Sequence, residues 1–243
     1  MTVLALDDSA LLTVWERTEA LARPWRELAL LAAACQEPPE RLARLPIGER
    51  DRLLLDLRVG MFGERFDCET ACPCCGARLE LSFDASDLRV LPSPVDAPDL
   101  ALRDHGCTVR FRAPDSVDIA ACLELPTEAV QVLIDRCTQV TDSNGELLDF
   151  TALPAVARDI VAARLAELDP RADVLLQLSC PECAQLWAGC FDPAAFLLCE
   201  IARYVERVVD EVHLIAHAYG WSEAAILSME SARRQRYLAR VLQ

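Results

Sequence analysis

The chain has 243 residues, of which 53% are apolar and 26% are charged, so it has enough apolar sequence to bury a core and is not an intrinsically disordered protein. All 24 basic residues are arginine, which excludes the lysine-dependent chemistry of phosphate-loop ATPases and Schiff-base enzymes. The net charge of −15 disfavours nucleic acid and anionic membranes as partners.

The N-terminal region, residues 1–65, is predicted to be helical. Apolar residues recur at intervals of three and four over 9–35, and Pro24 divides this stretch into two helices. The same periodicity returns over 47–62, where glycines end it.

A short cysteine-rich region, residues 66–92, follows. It contains a C-P-x-C knuckle that begins at Cys72, and after the knuckle Leu79, Leu81 and Phe83 alternate with polar residues. This alternation is typical of a strand with one buried face. The first knuckle therefore leads into a strand.

The next region, residues 93–170, is predicted to be a strand plus a helical insert. Prolines at 92, 94 and 98 indicate a linker before it. The strand is expected at 108–112, and helices are expected at 119–137, with a turn at Pro126, and at 154–168. Asp115 is the expected N-cap of the first helix, and the polar stretch 141–145 is expected to be a surface turn.

Residues 171–192 repeat the cysteine-rich region at a constant offset of 108. Five residues correspond without change between the copies: Cys72, Pro73, Cys75, Phe83 and Asp84 fall on Cys180, Pro181, Cys183, Phe191 and Asp192. Alternating residues 174–178 precede the second knuckle. The sequence therefore predicts an internal repeat of two strand-knuckle-strand units.

The C-terminal region, residues 193–243, is predicted to be helical. With Asp192 as N-cap and Pro193 at the first helical position, one long helix is expected to run to Tyr219. Its apolar residues step by three and four in a near-heptad stripe, which we expect to be available to other proteins. Ser222 and Ser231 are expected to begin two shorter helices.

These elements predict an α+β fold that is mostly α-helical. Helical bundle elements are expected around a small β core, similar to a zinc ribbon, that is made of the two C-P-x-C knuckles. The long C-terminal helix is expected to project from this core.

The sequence indicates a cytoplasmic protein with neither an export signal nor a membrane partner. The longest apolar run, 28–35, has eight residues, whereas a membrane helix needs about 20. Asp7 and Asp8 interrupt the N-terminal segment, and no basic leader precedes them. In a reducing compartment the 12 cysteines are expected to be metal ligands and small core residues rather than disulfides.

The two knuckles together predict one tetrahedral zinc site. The expected ligands are Cys72, Cys75, Cys180 and Cys183. Four protein sulfurs leave no position for water or substrate, so the zinc would be structural and would join segments about a hundred residues apart. Reduced core cysteines and a redox dithiol are the alternatives.

Details of the ligand set stay open. Cys74 or Cys68 could replace a ligand of the first knuckle. Ala184 stands where the first copy has Gly76, so the second turn is expected to be less regular. Six other cysteines lie in apolar stretches and are predicted to be small buried side chains: Cys35, Cys107, Cys122, Cys137, Cys190 and Cys199.

The sequence offers few candidate catalytic residues. It has three histidines, no G-x-S-x-G motif and no evident pair of carboxylates. His213 and His217 lie four apart on the long helix, and packing or an interhelical hydrogen bond is the expected role, with a second metal as the alternative. His105 is expected in a loop. We therefore expect neither a catalytic residue nor a small-molecule substrate.

The C-terminal motif resembles the family of baseplate proteins from contractile-tailed phages and related contractile injection systems. The resemblance lies in the stretch 211–229, which contains Tyr-Gly-Trp-Ser-Glu, and in the closing residues 233–238. The split C-P-x-C pair and the stretch 112–118 are also similar to that family. The resemblance implies a non-enzymatic component or assembly factor of the baseplate, near the hub from which tube and sheath grow.

The partners that the resemblance implies are other baseplate, hub or spike subunits of a contractile particle. The candidate partner-binding residues are Tyr219, Trp221, Arg233, Arg234 and Tyr237. The two aromatic residues beside Gly220 could instead close the core of this chain, and the arginines could form a solvated helix face. Two other functions stay open: a zinc-ribbon regulator or nucleic-acid adaptor, and a tail-assembly chaperone that is absent from the mature particle.

Overall fold

The structure is a computed structural model, and it describes residues 1–88, 100–102 and 106–242. The proline linker predicted at 92–98 and the loop position predicted for His105 lie outside the described residues. Within them the fold is α+β and mostly helical, as predicted, with eleven α-helices and three small antiparallel sheets.

The N-terminal region forms a helical body of four helices, of which the short helix after Pro38 was not predicted and the other three begin and end near their predicted positions. The helices are α1 (Asp8–Arg17), α2 (Trp25–Cys35), α3 (Pro39–Leu42) and α4 (Ile47–Phe62). Asp7 caps α1, because its carboxylate accepts a hydrogen bond of 2.8 Å from the Ala10 N–H.

The longest helix, α9 (Pro193–Tyr219), is the central element of this body. Asp192 is its N-cap, as predicted, and Gly220, with φ of +67°, ends it in the left-handed conformation. The expectation that its apolar stripe is free for other proteins was wrong. Leucines of α1, α2 and α4 cover the first half of the stripe, which includes Leu197, Ile201, Val205 and Val208.

Two short helices cover the far end of α9. They are α10 (Glu223–Leu227), capped by the Ser222 hydroxyl, and α11 (Ser231–Val241). Ile215 of α9 is buried there against Ile226 and Leu238. The stripe of α9 is therefore covered by the chain itself from Leu197 to Ile215, and this burial of apolar surface stabilises the isolated fold.

The insert contains more β-structure than predicted. A four-stranded antiparallel sheet runs in the order β3-β4-β5-β6, of which only the strand at 108–112 was predicted. The predicted turn at Pro126 separates two helices. The elements are β3 (Leu100–Leu102), β4 (Cys107–Phe111), α6 (Ser116–Glu124), α7 (Ala129–Cys137), β5 (Thr138–Asp142), β6 (Leu147–Leu148), a 3-10 turn (Phe150–Ala152) and α8 (Ala155–Ala166). The sheet, α7 and α8 share a separate apolar core.

Backbone hydrogen bonds attach the insert to the helical body. The Ile47 N–H donates to the Pro114 carbonyl at 3.0 Å, and the Ser116 N–H donates to the Ala43 carbonyl at 3.1 Å. The Gly48 N–H donates to the Asp169 carboxylate at 2.7 Å. A Cβ at Gly48 would lie 2.2 Å from that carboxylate, so glycine permits this close approach.

Asp118 organises the start of α6 as a fully buried carboxylate. With Asp115 it forms a capping box, and it accepts charge-assisted hydrogen bonds from Arg112 at 2.6 and 2.8 Å and from Arg136 at 2.8 Å. Burial alone would raise the pKa of Asp118. The hydrogen bonds from Arg112, from the Asp115 N–H and from Arg136 outweigh it and hold this pKa well below its usual range.

We expect Asp118→Asn to lower the free energy of unfolding by about 2–3 kcal/mol at pH 7, since it removes the charge that both arginines bind. A depressed pKa contributes stability that is present above the unfolded value of about 3.9 and is lost as the pH falls through the folded value. The difference between variant and wild type should therefore shrink below about pH 4. Urea unfolding at a series of pH values measures it, and a difference independent of pH would contradict the assignment.

Candidate metal centre

The two copies of the internal repeat form two antiparallel hairpins with the same register. The first hairpin is β1 (Arg65–Ala71) with β2 (Arg78–Asp84), followed by the short helix α5 (Ala85–Leu88), and the second is β7 (Val174–Ser179) with β8 (Leu186–Phe191). Ala71 pairs with Arg78 beside the first tip, and Ser179 pairs with Leu186 beside the second. The offset of 108 therefore holds for the strands as well as for the knuckles.

The hairpins face each other through their inner sides, and phenylalanines fill the space at their base. Phe66 stacks on Phe83 at a centroid distance of 5.1 Å, and Phe191 meets both rings edge to face at 5.8 and 5.3 Å. Phe196 of α9 packs against Phe66 at 5.3 Å. Phe66 was not predicted to be a core residue, although the offset of 108 pairs it with Val174, which is also buried.

A partly buried ion pair between Arg58 of α4 and Glu200 of α9 lies against the base of the first hairpin. The Arg58 guanidinium lies over the Phe66 ring at 3.9 Å, and it donates two hydrogen bonds of 2.8 Å to the Glu200 carboxylate. The guanidinium also donates a hydrogen bond to the carbonyl of Gly63, two residues before β1. These contacts hold the hairpin pair against the helical body.

The two tips have matching backbone hydrogen bonds. The Cys72 N–H donates to the Ala77 carbonyl and the Gly76 N–H donates to the Cys72 carbonyl, both at 2.9 Å. Cys180 makes the same two bonds with Gln185 and Ala184, again at 2.9 Å. The expectation that the second turn is less regular was therefore wrong.

Ala184 adopts the conformation that glycine has in the first copy. Its φ is +58°, against +72° for Gly76. A residue with a Cβ in this left-handed region costs roughly 1–2 kcal/mol. The hydrogen bonds of the second tip hold Ala184 there in spite of this cost.

We expect Ala184→Gly to raise the free energy of unfolding by up to about 1 kcal/mol, because it removes the strain at a small cost in chain entropy. Denaturant unfolding of zinc-loaded protein measures the change. Gly76→Ala is the matched variant in the first tip and should have the opposite sign. A loss of stability in Ala184→Gly would contradict this account of the turn.

The tips bring four cysteines together: Cys72, Cys75, Cys180 and Cys183. Their sulfur atoms all lie within 4.8 Å of one another. The Cys72 Sγ lies 3.7 Å from the Cys183 Sγ, and the Cys75 Sγ lies 3.6 Å from the Cys180 Sγ. Zinc with sulfur ligands at about 2.3 Å requires sulfur-to-sulfur edges of about 3.8 Å, so these four cysteines could bind such a metal ion.

The surroundings of the four sulfurs are asymmetric. Cys72 and Cys180 are buried beside Leu79 and Trp187, whereas Cys75 and Cys183 are exposed. One side of the site is therefore packed against apolar side chains, and the other side is open to solvent, where an ion can enter.

The electrostatics of the sulfur cluster favour the thiolate of Cys72 and oppose the thiolate of Cys183. The N–H groups of Cys75 and Cys74 donate to the Cys72 sulfur and lower the pKa of this thiol to about 6. The Gln185 N–H favours the Cys183 thiolate, but removal from water and the neighbouring sulfurs outweigh it and raise the pKa of Cys183 to about 12. A divalent cation would supply the missing positive charge, and its binding would release protons.

Cys74 and Cys68, the two possible replacement ligands, lie outside this cluster. Cys74 is exposed to solvent beside the first tip, and Cys68 packs against the phenylalanines at the base of the hairpins. Of the cysteines predicted to be buried, Cys190 and Cys199 are exposed instead. Cys190 lies on the outer side of β8, where alternation along the strand points it away from the core.

The predicted partner-binding residues lie together at the far end of α9. Trp221 packs against Tyr219 and against Tyr237, with both centroid distances 4.9 Å. Tyr219 is 38% exposed, and Trp221 and Tyr237 pack on the buried cluster around Ile226. Trp221 and Tyr237 therefore close the C-terminal core, and Tyr219 stays exposed beside them.

Arg234 is a correction to the predicted partner site. Its side chain is 1% exposed and forms ion pairs with Asp8 and Glu211, so it has no free donor face to offer another protein. Arg233 is exposed. His213 and His217 are also exposed, with stacked rings 6.3 Å apart, so the predicted packing role was wrong for both.

Comparison with models of known protein families gives a match. The model of a family described as T4 bacteriophage base plate protein matches residues 28–186, which is more than half of the chain. The match includes the insert and both knuckles. No curated protein and no solved structure matches the chain. In the part of the chain that the structure describes, no helix is long and apolar enough to cross a membrane.

Proposed function

Because this chain belongs to the family of T4 bacteriophage base plate proteins, we propose that it is a non-enzymatic structural component of the baseplate in a contractile phage tail or a related contractile injection system. In this proposal one zinc ion joins the two hairpins, and the chain binds other hub, spike or baseplate subunits.

The observation that carries the proposal is the cluster of four sulfurs within 4.8 Å. The cluster joins cysteines on either side of an insert that has a core of its own. A site with four protein sulfurs has no open coordination position, so its zinc would stabilise the fold and take no part in a reaction. The residues that bind the ion thereby connect two distant parts of the chain.

The expected result of such a connection is a rigid platform. Arg58 and the phenylalanine cluster hold the base of the hairpin pair against α4 and α9, and zinc would hold the tips. A rigid unit loses little conformational entropy when it is incorporated into a particle, and this favours a subunit with fixed contacts on several sides.

Quantitative mass spectrometry of purified particles tests this function. We expect a fixed number of copies per baseplate, with one zinc per copy by elemental analysis. Absence of the chain from finished particles, with presence in assembly intermediates, would show a tail-assembly chaperone instead.

A further inference from the structure

The outer sides of the two hairpins have the same backbone, so the side chains at their equivalent positions can be compared directly. Since the inner sides pack on each other, the outer sides point in opposite directions. Positions 67, 69, 71, 78, 80 and 82 form the outer side of the first hairpin, and the offset of 108 gives the equivalent positions of the second.

The outer side of the first hairpin is charged. Four of these six residues are ionised, namely Asp67, Glu69, Arg78 and Glu80. Arg78 pairs with Glu69 across the strands, and Asp67 pairs with Arg65 at 3.0 Å. Such paired charges are typical of a surface that stays in water.

The outer side of the second hairpin carries no charge at any of the six positions. We call it the uncharged face, and it consists of Leu175, Gln177, Ser179, Leu186, Ala188 and Cys190. All six residues are exposed, and Leu175 and Leu186 are 52% and 72% exposed. The first hairpin shows that the same backbone accepts charges there, so the fold does not require this apolar surface.

Acidic residues stand at both ends of the uncharged face. Asp173 lies at its base, and Glu182 lies at its tip, and both are exposed. A partner that fits this surface has an apolar strip in the middle and basic residues beyond it at either end.

The size of the uncharged face indicates one secondary-structure element as its occupant. Six residues on each of two strands span about 20 Å by about 10 Å. A stable pair of protein copies needs roughly 800 Å² from each partner, so this face alone cannot hold two copies together, whereas a subunit within a particle is held by further contacts on its other sides. Its width equals the 10–12 Å diameter of one α-helix, and about 13 helical residues match its length.

We propose that the uncharged face is the docking site for an amphipathic helix of another baseplate subunit, with an apolar stripe between basic ends. This inference rests on the proposed function. The apolar stripe would pack on Leu175 and Leu186, and the basic ends would approach Asp173 and Glu182.

The experiment replaces two residues of the uncharged face with the charged residues found at the equivalent positions of the first hairpin. Leu175→Asp with Leu186→Arg installs the side chains found at positions 67 and 78, which this backbone tolerates. We expect the isolated double variant to stay folded with one zinc, and its copies per purified particle to fall at least tenfold. Glu80→Arg changes the charge of the opposite face and should leave the copy number unchanged.

Photo-crosslinking identifies the occupant. Benzoylphenylalanine at position 186 in assembled particles should crosslink to a helical peptide of another polypeptide, with apolar residues at intervals of three and four. A crosslink to a second copy of this chain, or to an extended strand, would overturn the proposal. Normal incorporation of the folded double variant would also overturn it, but would leave the proposed function standing. Absence of wild-type chain from particles would overturn the proposed function itself.

Discussion

Cys72→Ser and Cys180→Ser should each abolish zinc binding and unfold the hairpin pair. A structural zinc ion contributes on the order of 10 kcal/mol or more, which is as large as the stability of a whole domain. Both residues belong to the cluster of four sulfurs, and both are buried, so a hydroxyl in their place supplies neither the ligand nor the packing. Elemental analysis measures the zinc, and circular dichroism during heating measures the fold.

Cys74→Ser is the matched control for these variants. Cys74 lies in the same knuckle, is exposed and is outside the cluster. We expect one zinc per chain and an unchanged melting temperature for it. Chelation of wild-type protein should reproduce the effect of Cys72→Ser. A metal-free Cys72→Ser protein that melts like wild type would refute a structural zinc site.

The helices were predictable because their signals are local. Proline at α2 and α9, aspartate at the N-caps of α6 and α9, and Gly220 at the end of α9 act through backbone geometry and a few neighbouring N–H groups. The predicted helix at 47–62 has the bounds of α4. Helix ends that depend on such interactions can be predicted from the neighbouring residues alone.

The cysteine cluster was predictable for another reason. The sequence contains two copies of one repeat, and these copies can be aligned with each other. The offset of 108 pairs the knuckles and their exit strands, and this pairing identifies the four cysteines from the amino-acid sequence alone. Repetition cannot show what the two copies do differently. The contrast between the charged outer side of the first hairpin and the uncharged face depends on the register of the strands, which the structure supplies.

The insert sheet was largely missed because its strands are short, and apart from β4 they show no clear alternation. β6 has two residues, both exposed, and β5 follows α7 without a break. Pairing with β4 stabilises β5, and residues more than twenty positions away determine that pairing. Tertiary contacts of this kind leave no periodic signal in the sequence.

The free stripe predicted on α9 shows the limit of helical periodicity. A pattern of apolar residues at intervals of three and four indicates that one side of a helix is buried. It does not identify the elements or proteins that bury this side. Here α1, α2, α4 and the C-terminal helices bury it. The same limit applies to Arg234, whose burial depends on Asp8 more than two hundred residues away.

Arg234→Ala should destabilise the isolated chain by about 3 kcal/mol, because it removes the buried counter-charge of two largely buried carboxylates and leaves only the exposed Arg207, 3.8 Å from Glu211, as an ion-pair partner. Arg234 binds Asp8 of α1 and Glu211 of α9, and it also donates to the Met229 carbonyl at 3.0 Å. Glu211 is 5% exposed, so water cannot replace the lost ion pair. For a chain of this size the melting temperature should fall by roughly 6–12 °C.

Arg233→Ala is the control, since Arg233 is the exposed neighbour on the same helix. We expect a change within about 0.5 kcal/mol, as for other surface positions. Arg234→Lys should recover only part of the loss, because one ammonium group cannot bind two carboxylates as a planar guanidinium does. If Arg234→Ala melts like wild type and loses only its incorporation into particles, then Arg234 serves a partner after all, and the ion pairs with Asp8 and Glu211 contribute little to the fold.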